Sequence, residues 1–225
     1  MRSYYITGSS QFAGSTAEQH SRLLDTIRRA AEAGVDYIQL REKAITTRAL
    51  ERLATEALDA IHSAGPTKLL INHRTDVALA VGADGVHLTG ADLAASDVRA
   101  LGSTSAAQPD RLLIAVSCHS AEEVRLAESH GADFAVLAPI FEKPGWEHAG
   151  LGLEELRRAS RASSPADPRV EAGEDRRMIP LFALGGLTLD RAALCAAAGA
   201  DGVAGIRLFQ QAEDLSTLVA RLRSL

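Results

Sequence analysis

The sequence predicts a single (β/α)8 barrel over residues 1–225, in which eight parallel strands form a closed sheet inside a ring of helices. Three observations support this fold. One helix-glycine-strand pattern occurs four times, short apolar segments alternate with amphipathic ones, and a length of 225 residues suits a one-domain barrel. A doubly wound open sheet is the alternative, but the even spacing of the repeat favours closure.

The repeat joins an alanine-rich helix end to a glycine, an aspartate and a short apolar strand. It occurs in AEAGVDYIQL (31–40), AVGADGVHL (80–88), ESHGADFAVL (128–137) and AAGADGVAGI (197–206). The glycines suit the left-handed position that ends a helix, and they are separated by 48, 49 and 68 residues. A compact βα unit takes roughly 25 residues, so each shorter interval holds two units. The longer interval contains a polar segment near 161–177, which we expect to be a flexible insertion.

Eight apolar segments are the predicted strands. They are YYIT (4–7), VDYIQL (35–40), KLLIN (68–72), GVHL (85–88), LLIAVS (112–117), DFAVLAP (133–139), IPLFAL (179–184) and DGVAGI (201–206). Helical periodicity in the intervening segments, such as 49–64 and 120–129, predicts the surrounding helices. Ser120 and Glu123 form the pattern of a capping box at the start of the fifth helix.

Composition excludes several classes of function. The net charge of −5 disfavours a broad nucleic-acid surface, and Cys118 and Cys195 cannot form a disulfide framework. No Cys/His pattern has the spacing of a zinc site, and no apolar run has the length of a signal peptide or membrane span. The expectation is therefore a cytoplasmic enzyme or binding domain with no nucleic-acid or membrane partner, and a homo-oligomer is left open.

Active sites of such barrels lie at the carboxyl ends of the strands. LGGLT (184–188) follows the seventh strand and VAGIR (203–207) includes the eighth, and both carry glycine. Glycine lets an anion approach backbone N–H groups, so the pair predicts a phosphate site. Its candidate residues are Gly185, Gly186, Gly205 and Ile206. The alternative is two tight turns without a ligand.

The end of the second strand, QLREK (39–43), carries two cations. Arg41 and Lys43 alternate, so we expect them on one face, where they would suit a phosphate or pyrophosphate. The alternative is a solvated strand end that pairs with Glu42. Asn72 and His73 follow the third strand.

Two histidines differ in their predicted roles. His119 follows the fifth strand, and we expect it just inside the barrel mouth, where an imidazole can take and return a proton near neutral pH. An ordinary hydrogen-bonding loop histidine is the alternative. His87 lies within the fourth strand and is predicted to fill a packing position.

Taken together, these motifs resemble the thiamine phosphate synthase and TenI superfamily. The matching segments are QLREK, INHRTDVALAVGADGVHL, AVSCHSAEEV, DFAVLAPIF, FALGGLT and AGADGVAGI, within residues 4–210. Synthases join hydroxymethylpyrimidine pyrophosphate to a thiazole phosphate, with Mg²⁺ assisting the loss of pyrophosphate. The resemblance implies that Gln39, Arg41, Lys43 and Asn72 bind the pyrimidine substrate, that Ser117 lies near the reacting centre, and that Gly185, Gly186, Gly205 and Ile206 contact the thiazole phosphate.

Two departures separate this chain from the synthase pattern. His73 stands where synthases carry a magnesium-binding aspartate, which leaves Asp92 as the one matching acidic ligand. After the sixth strand, IFEKPGWEHAGLG (140–152) replaces a Thr-x-Thr-Lys run, so Lys143 is displaced and Trp146 has no assigned role.

The TenI branch also lacks those features, and the activity that the resemblance implies for it is thiazole tautomerisation, a proton shift that needs no metal. The leading hypothesis is therefore a tautomerase that binds a phosphorylated thiazole, with His119 and Ser117 catalytic and no cofactor. One alternative is a divergent synthase that uses Mg²⁺ at Asp92 and also binds the pyrimidine pyrophosphate. The other is a non-catalytic regulator that binds phosphates of the thiamine pathway.

Overall fold

Eight parallel strands close into a barrel in the order in which they occur along the chain. The computed structural model describes residues 1–103, 112–142, 149–161 and 179–225. The strands are β1 Arg2–Ile6, β2 Tyr37–Leu40, β3 Lys68–Asn72, β4 Gly85–Leu88, β5 Leu113–Cys118, β6 Phe134–Leu137, β7 Leu181–Leu184 and β8 Gly202–Gly205. Pairing of β1 with β8, with Tyr4 beside Ala204, closes the sheet. The predicted fold class is confirmed, and the open-sheet alternative is excluded.

Helices follow the strands and form the outer layer. They are α1 Thr16–Glu32, α2 Thr47–His62, α3 Thr75–Val81, α4 Ala95–Ser103, α5 Ala121–Ser129, α6 Gly152–Arg161, α7 Leu189–Ala197, α8 Arg207–Gln210 and α9 Leu215–Arg223. Polar side chains accept a hydrogen bond from the first turn of several helices and so fix where each begins, as Thr46 does for α2 and Thr188 for α7. Among the helices described, none combines the length and the apolar character that crossing a membrane requires.

The repeated glycine and aspartate each have a structural role. Gly34, Gly82, Gly131 and Gly199 have φ between 68° and 94°, which confirms the predicted left-handed helix ends. The repeated aspartates accept hydrogen bonds from backbone N–H groups of the preceding strand: Asp84 from Leu69, and Asp201 from Leu181, each at 2.8 Å. Asp36 and Asp133 do the same for Ser3 and Ile114. Each aspartate therefore joins two neighbouring strands near their amino ends.

The core has two layers, one inside the barrel and one between strands and helices. Tyr4, Tyr37, Phe134 and Phe182 form a cluster inside the barrel, with ring centroids 5.0–6.0 Å apart. Gly202 leaves the space that the Phe182 ring occupies. The aromatic cluster fills the barrel interior from the amino ends of the strands to their middle, so polar interior groups lie toward the carboxyl ends.

Candidate active site

The polar residues predicted at the ends of β2, β3 and β5 lie at the carboxyl end of the barrel. Gln39 is inside the barrel and 2% exposed, whereas Asn72 and Ser117 are half-buried at their strand ends. Arg41 follows β2 and is half-buried. Side chains of β2, β3 and β5 therefore contribute to one mouth, with β4 lying between β3 and β5.

The predicted pairing of Arg41 and Lys43 on one face needs correction. β2 ends at Leu40, so strand alternation does not extend to Lys43, which lies in an exposed turn. Among the described residues Glu42 does not form the alternative ion pair either. Its carboxylate accepts hydrogen bonds from the Thr7 hydroxyl at 2.7 Å and from Ser9. Within the described ranges Arg41 has no ion-pair partner. Its positive charge is one of the causes that lower the pKa of the buried His87.

A buried hydrogen-bonded chain connects the centre of the barrel to this mouth. The Tyr4 hydroxyl lies 2.9 Å from Nδ1 of His87, and Nε2 of His87 lies 2.7 Å from the Ser117 hydroxyl. Burial, with further contributions from the charges of His73 and Arg41, lowers the pKa of His87 to about 3. The imidazole is therefore neutral, with one nitrogen donating and the other accepting.

The direction of donation along these hydrogen bonds depends on the group that bonds to the Tyr4 oxygen. Burial raises the pKa of Tyr4 well above its ordinary value, while a hydrogen bond from the Gln39 side chain acts in the opposite direction. If Gln39 donates to the Tyr4 oxygen, Tyr4 donates to Nδ1 of His87, and Nε2–H donates to Ser117. The Ser117 proton is then directed away from His87. The packing role predicted for His87 was incomplete, because this residue also forms two hydrogen bonds. Its position on the interior face of β4, two residues after Gly85, was the sequence feature that could have indicated such a role.

His119 lies on the rim and not just inside the mouth, so that prediction is wrong in detail. Its side chain is 63% exposed, and its Nδ1 lies 3.2 Å from Oε2 of Glu123. The same oxygen accepts the backbone N–H of His119 at 2.7 Å. Ser120 caps α5 as predicted by accepting from the N–H of Glu123, but the Glu123 carboxylate bonds to His119 and not to the cap residue. Only half of the predicted capping box forms.

His73 pairs with Asp92 across the ends of β3 and β4. Nδ1 of His73 lies 2.9 Å from Oδ1 and 2.8 Å from Oδ2 of Asp92, and Thr89 donates its N–H and its hydroxyl to Oδ2. Partial burial acts to raise the pKa of Asp92, but the hydrogen bonds from His73 and Thr89 outweigh it and lower that pKa. His73 has a φ of 66°, a left-handed conformation in which histidine, asparagine and aspartate are enriched.

The loops after β7 and β8 form much of the wall of an open cavity of about 780 Å³. Gly185, Gly186, Gly205 and Ile206, the four residues predicted there, all line it. Gly186 has a φ of 61°, and a Cβ there would lie 2.8 Å from the Glu142 carbonyl oxygen. A Cβ at Gly185 would lie 2.8 Å from Cβ of Pro139. Close packing against these neighbouring atoms therefore requires glycine at both positions, and the two residues expose backbone, without side chains, along the cavity.

Arg191 lies beside this cavity, and it was not among the residues predicted for the site. It is in the first turn of α7, and its guanidinium donates to the Gly186 carbonyl at 2.6 Å and lies 4.8 Å from the centre of the Phe141 ring.

Comparison with known proteins identifies the family of this chain. The family model described as thiamine monophosphate synthase matches residues 4–209. The chain belongs to the thiamine monophosphate synthase family. A putative thiamine-phosphate synthase 2 of Aquifex aeolicus is 36% identical over 187 residues, covering 83% of this chain and 89% of that protein. The thiamine-phosphate synthase of Moorella thermoacetica is 37% identical over 202 residues, covering 89% and 86%. These relatives support an enzyme of thiamine biosynthesis.

A solved structure of this family has the same fold. The thiamine phosphate pyrophosphorylase of Pyrococcus furiosus superposes with a TM-score of 0.75 at 27% identity, covering 99% of this chain and 94% of that one. Parts of two predicted segments cannot be compared with the structure: residues 143–148, with Lys143 and Trp146, and residues 162–178 lie outside the described ranges.

The residues present do not fit the magnesium ion that the resemblance to synthases implies. Both oxygens of Asp92 already accept protein hydrogen bonds, and His73 directs its Nδ1 to this carboxylate. Magnesium prefers hard oxygen ligands, which an imidazole does not supply. In the ranges that the structure describes, no three His, Cys, Asp or Glu side chains are grouped so that they could hold a metal.

Proposed function

We propose that this member of the family is a thiazole tautomerase that acts without a metal. The observation that carries the proposal is the pairing of His73 with Asp92, which commits the remaining acidic group of the synthase pattern to protein donors. Converting an exocyclic thiazole carboxylate phosphate tautomer into the aromatic form moves one proton. It needs a phosphate anchor and a proton carrier, and no pyrophosphate leaves.

The candidate site contains groups suited to both tasks. The glycine-lined cavity after β7 and β8 accepts the phosphate, with backbone N–H groups near the start of α7 as donors. His119 takes a proton from the ring and returns it to the exocyclic carbon, so the proton count is unchanged. If Nδ1 carries the proton donated to Glu123, Nε2 has the free lone pair, and exposure on the rim keeps it accessible.

The test follows aromatisation of the exocyclic tautomer by its ultraviolet absorbance. Purified protein is expected to accelerate the reaction equally with Mg²⁺ and with a chelator. His119→Gln is expected to lower kcat by roughly 10²- to 10⁴-fold, the usual range for a general acid or base. His62→Gln, which changes an exposed histidine of α2, is the matched control. No acceleration by the unmodified protein would reject the proposal.

A divergent synthase is the second candidate, and the names of the relatives favour it. Support from the site comes from Arg41, which has no ion-pair partner among the described residues, and from Asn72 at the neighbouring strand end. A synthase would release pyrophosphate from the two substrates in the presence of Mg²⁺, and His73→Asp would raise that rate by returning a carboxylate to the position. Absence of pyrophosphate release by both proteins would count against it.

A further inference from the structure

Two arginines line the cavity between the loops after β7 and β8. Arg191 is in the first turn of α7, and Arg207 is the first residue of α8. Glu142 is the one acidic residue among the described lining residues. The described lining of the cavity therefore carries a net positive charge, in a chain whose formal net charge is −5.

The guanidinium of Arg191 is held in place before any ligand binds. Its hydrogen bond to the Gly186 carbonyl, at 2.6 Å, uses one of five N–H donors, and the Phe141 ring lies 4.8 Å from it. A Cβ at Gly186 would lie 3.1 Å from Nη1 of Arg191, so this guanidinium directly adjoins the open glycine backbone. An anion bound to that backbone would be close enough to contact it.

Arg207 completes the positive side of the cavity from the neighbouring strand. It directly follows Ile206, and its side chain is exposed. In the portion of the chain that the structure describes, no carboxylate pairs with it. Arginine donates two parallel hydrogen bonds to a phosphate more readily than lysine does, because its planar group matches the spacing of two oxygens.

We propose that the side chains of Arg191 and Arg207 bind the substrate phosphate directly, in addition to the backbone contacts that the family resemblance implies, and that these two charges supply the preference for a phosphate ester over the alcohol. This inference rests on the proposed function, which requires a phosphate in this cavity. The backbone N–H groups and the two guanidiniums would surround a phosphate dianion from β7 and β8. A neutral hydroxyl at the same position would gain little from either charge.

The experiment compares binding of two ligands by calorimetry: hydroxyethylthiazole phosphate and the corresponding unphosphorylated alcohol. The proteins are the unmodified chain, Arg191→Gln, Arg191→Lys, Arg207→Gln and the control Arg125→Gln. Arg125 is an exposed arginine of α5 outside the cavity, so its variant removes the same charge elsewhere.

Arg191→Gln and Arg207→Gln are each expected to weaken binding of the phosphate ester by roughly 10- to 100-fold, the range for a hydrogen bond to a charged group. Binding of the alcohol is expected to change less than about twofold, and Arg191→Lys is expected to restore part of the loss. Equal losses for both ligands would mean that the arginines only shape the loops, and they would overturn the proposal, as would unchanged phosphate binding.

Turnover of the tautomer separates this inference from the proposed function. If the unmodified protein binds the phosphate ester selectively through the arginines but does not aromatise the tautomer, the phosphate assignment holds and the tautomerase proposal fails. If it aromatises the tautomer and the arginine variants bind normally, only the present inference fails.

Discussion

Lowering the pH from 7 to 5 is expected to destabilise the barrel through the protonation of one buried residue, His87, in the unfolded chain. In the folded chain its pKa is about 3, whereas an unfolded chain has the ordinary value of 6.5. Below pH 6.5 the His87 imidazole of the unfolded state binds a proton, whereas that of the folded state does so only when the pH approaches 3. Stability is therefore present above the unfolded pKa and is lost as the pH falls.

The size of the effect follows from this difference. One pKa unit corresponds to about 1.4 kcal/mol, so at pH 5 the unfolded state gains about 2 kcal/mol from protonation of His87. Carboxylates with pKa values lowered by hydrogen bonds, such as Asp92, act mainly at lower pH, because their ordinary value is 3.8. The contribution of His87 over this interval is therefore obtained by comparing the unmodified chain with a variant at this one position, since the chain has seven histidines.

Urea unfolding followed by circular dichroism at pH 7 and pH 5 measures this loss. His87→Gln keeps a donor and an acceptor but cannot titrate, so its stability should fall by about 2 kcal/mol less than that of the unmodified chain over this interval. His62→Gln, at an exposed histidine of α2, should behave like the unmodified chain. An identical pH dependence in the His87 variant would refute the argument that burial keeps this imidazole neutral.

Three further predictions concern the cavity, the rim and the repeat. Gly186→Ala forces a side chain into a left-handed position beside the Glu142 carbonyl, and it should cost about 1–2 kcal/mol of stability and abolish detectable binding of thiazole phosphate in calorimetry. Glu123→Gln should lower tautomerase kcat by less than His119→Gln does, because it weakens the acceptor beside Nδ1 and leaves the imidazole in place. Asp201→Ala leaves the Leu181 N–H without its acceptor and should lower the unfolding free energy by about 1–3 kcal/mol in urea titrations.

Much of the fold was predictable because its signals are local. The strands predicted at 68–72 and 85–88 match β3 and β4 at both ends, and the four repeated glycines have the predicted conformation. The role of the repeated aspartates was not predictable, since their acceptor oxygens bond to another strand. For Asp84 that partner, Leu69, lies 15 residues earlier, and periodicity does not indicate which N–H group needs an acceptor.

The candidate site divides in the same way. The cavity to which we assign the phosphate could be located from glycines at the ends of the last two strands, because a barrel fixes where those loops meet. The role of His87 could not, because its partner Tyr4 is 83 residues away and the position alone fits simple packing. His119 was placed correctly after β5, but the direction of its side chain depends on Glu123, which a sequence pattern assigned to the helix cap instead.

Two halves of this mouth are built from different chemistry, and that difference bears on the choice between tautomerase and synthase. The cavity after β7 and β8 depends on backbone conformation, set by Gly185 and Gly186, whereas the region after β3 and β4 depends on side-chain identity. His73, in place of the aspartate of the synthase pattern, therefore makes the region after β3 and β4 an imidazole–carboxylate pair and not a pair of carboxylates. It has no effect on the glycines of the cavity after β7 and β8. The proposed phosphate site and the position of the synthase metal ligand share no residue, so the proposed tautomerase can bind a thiazole phosphate without the carboxylate that would assist pyrophosphate departure.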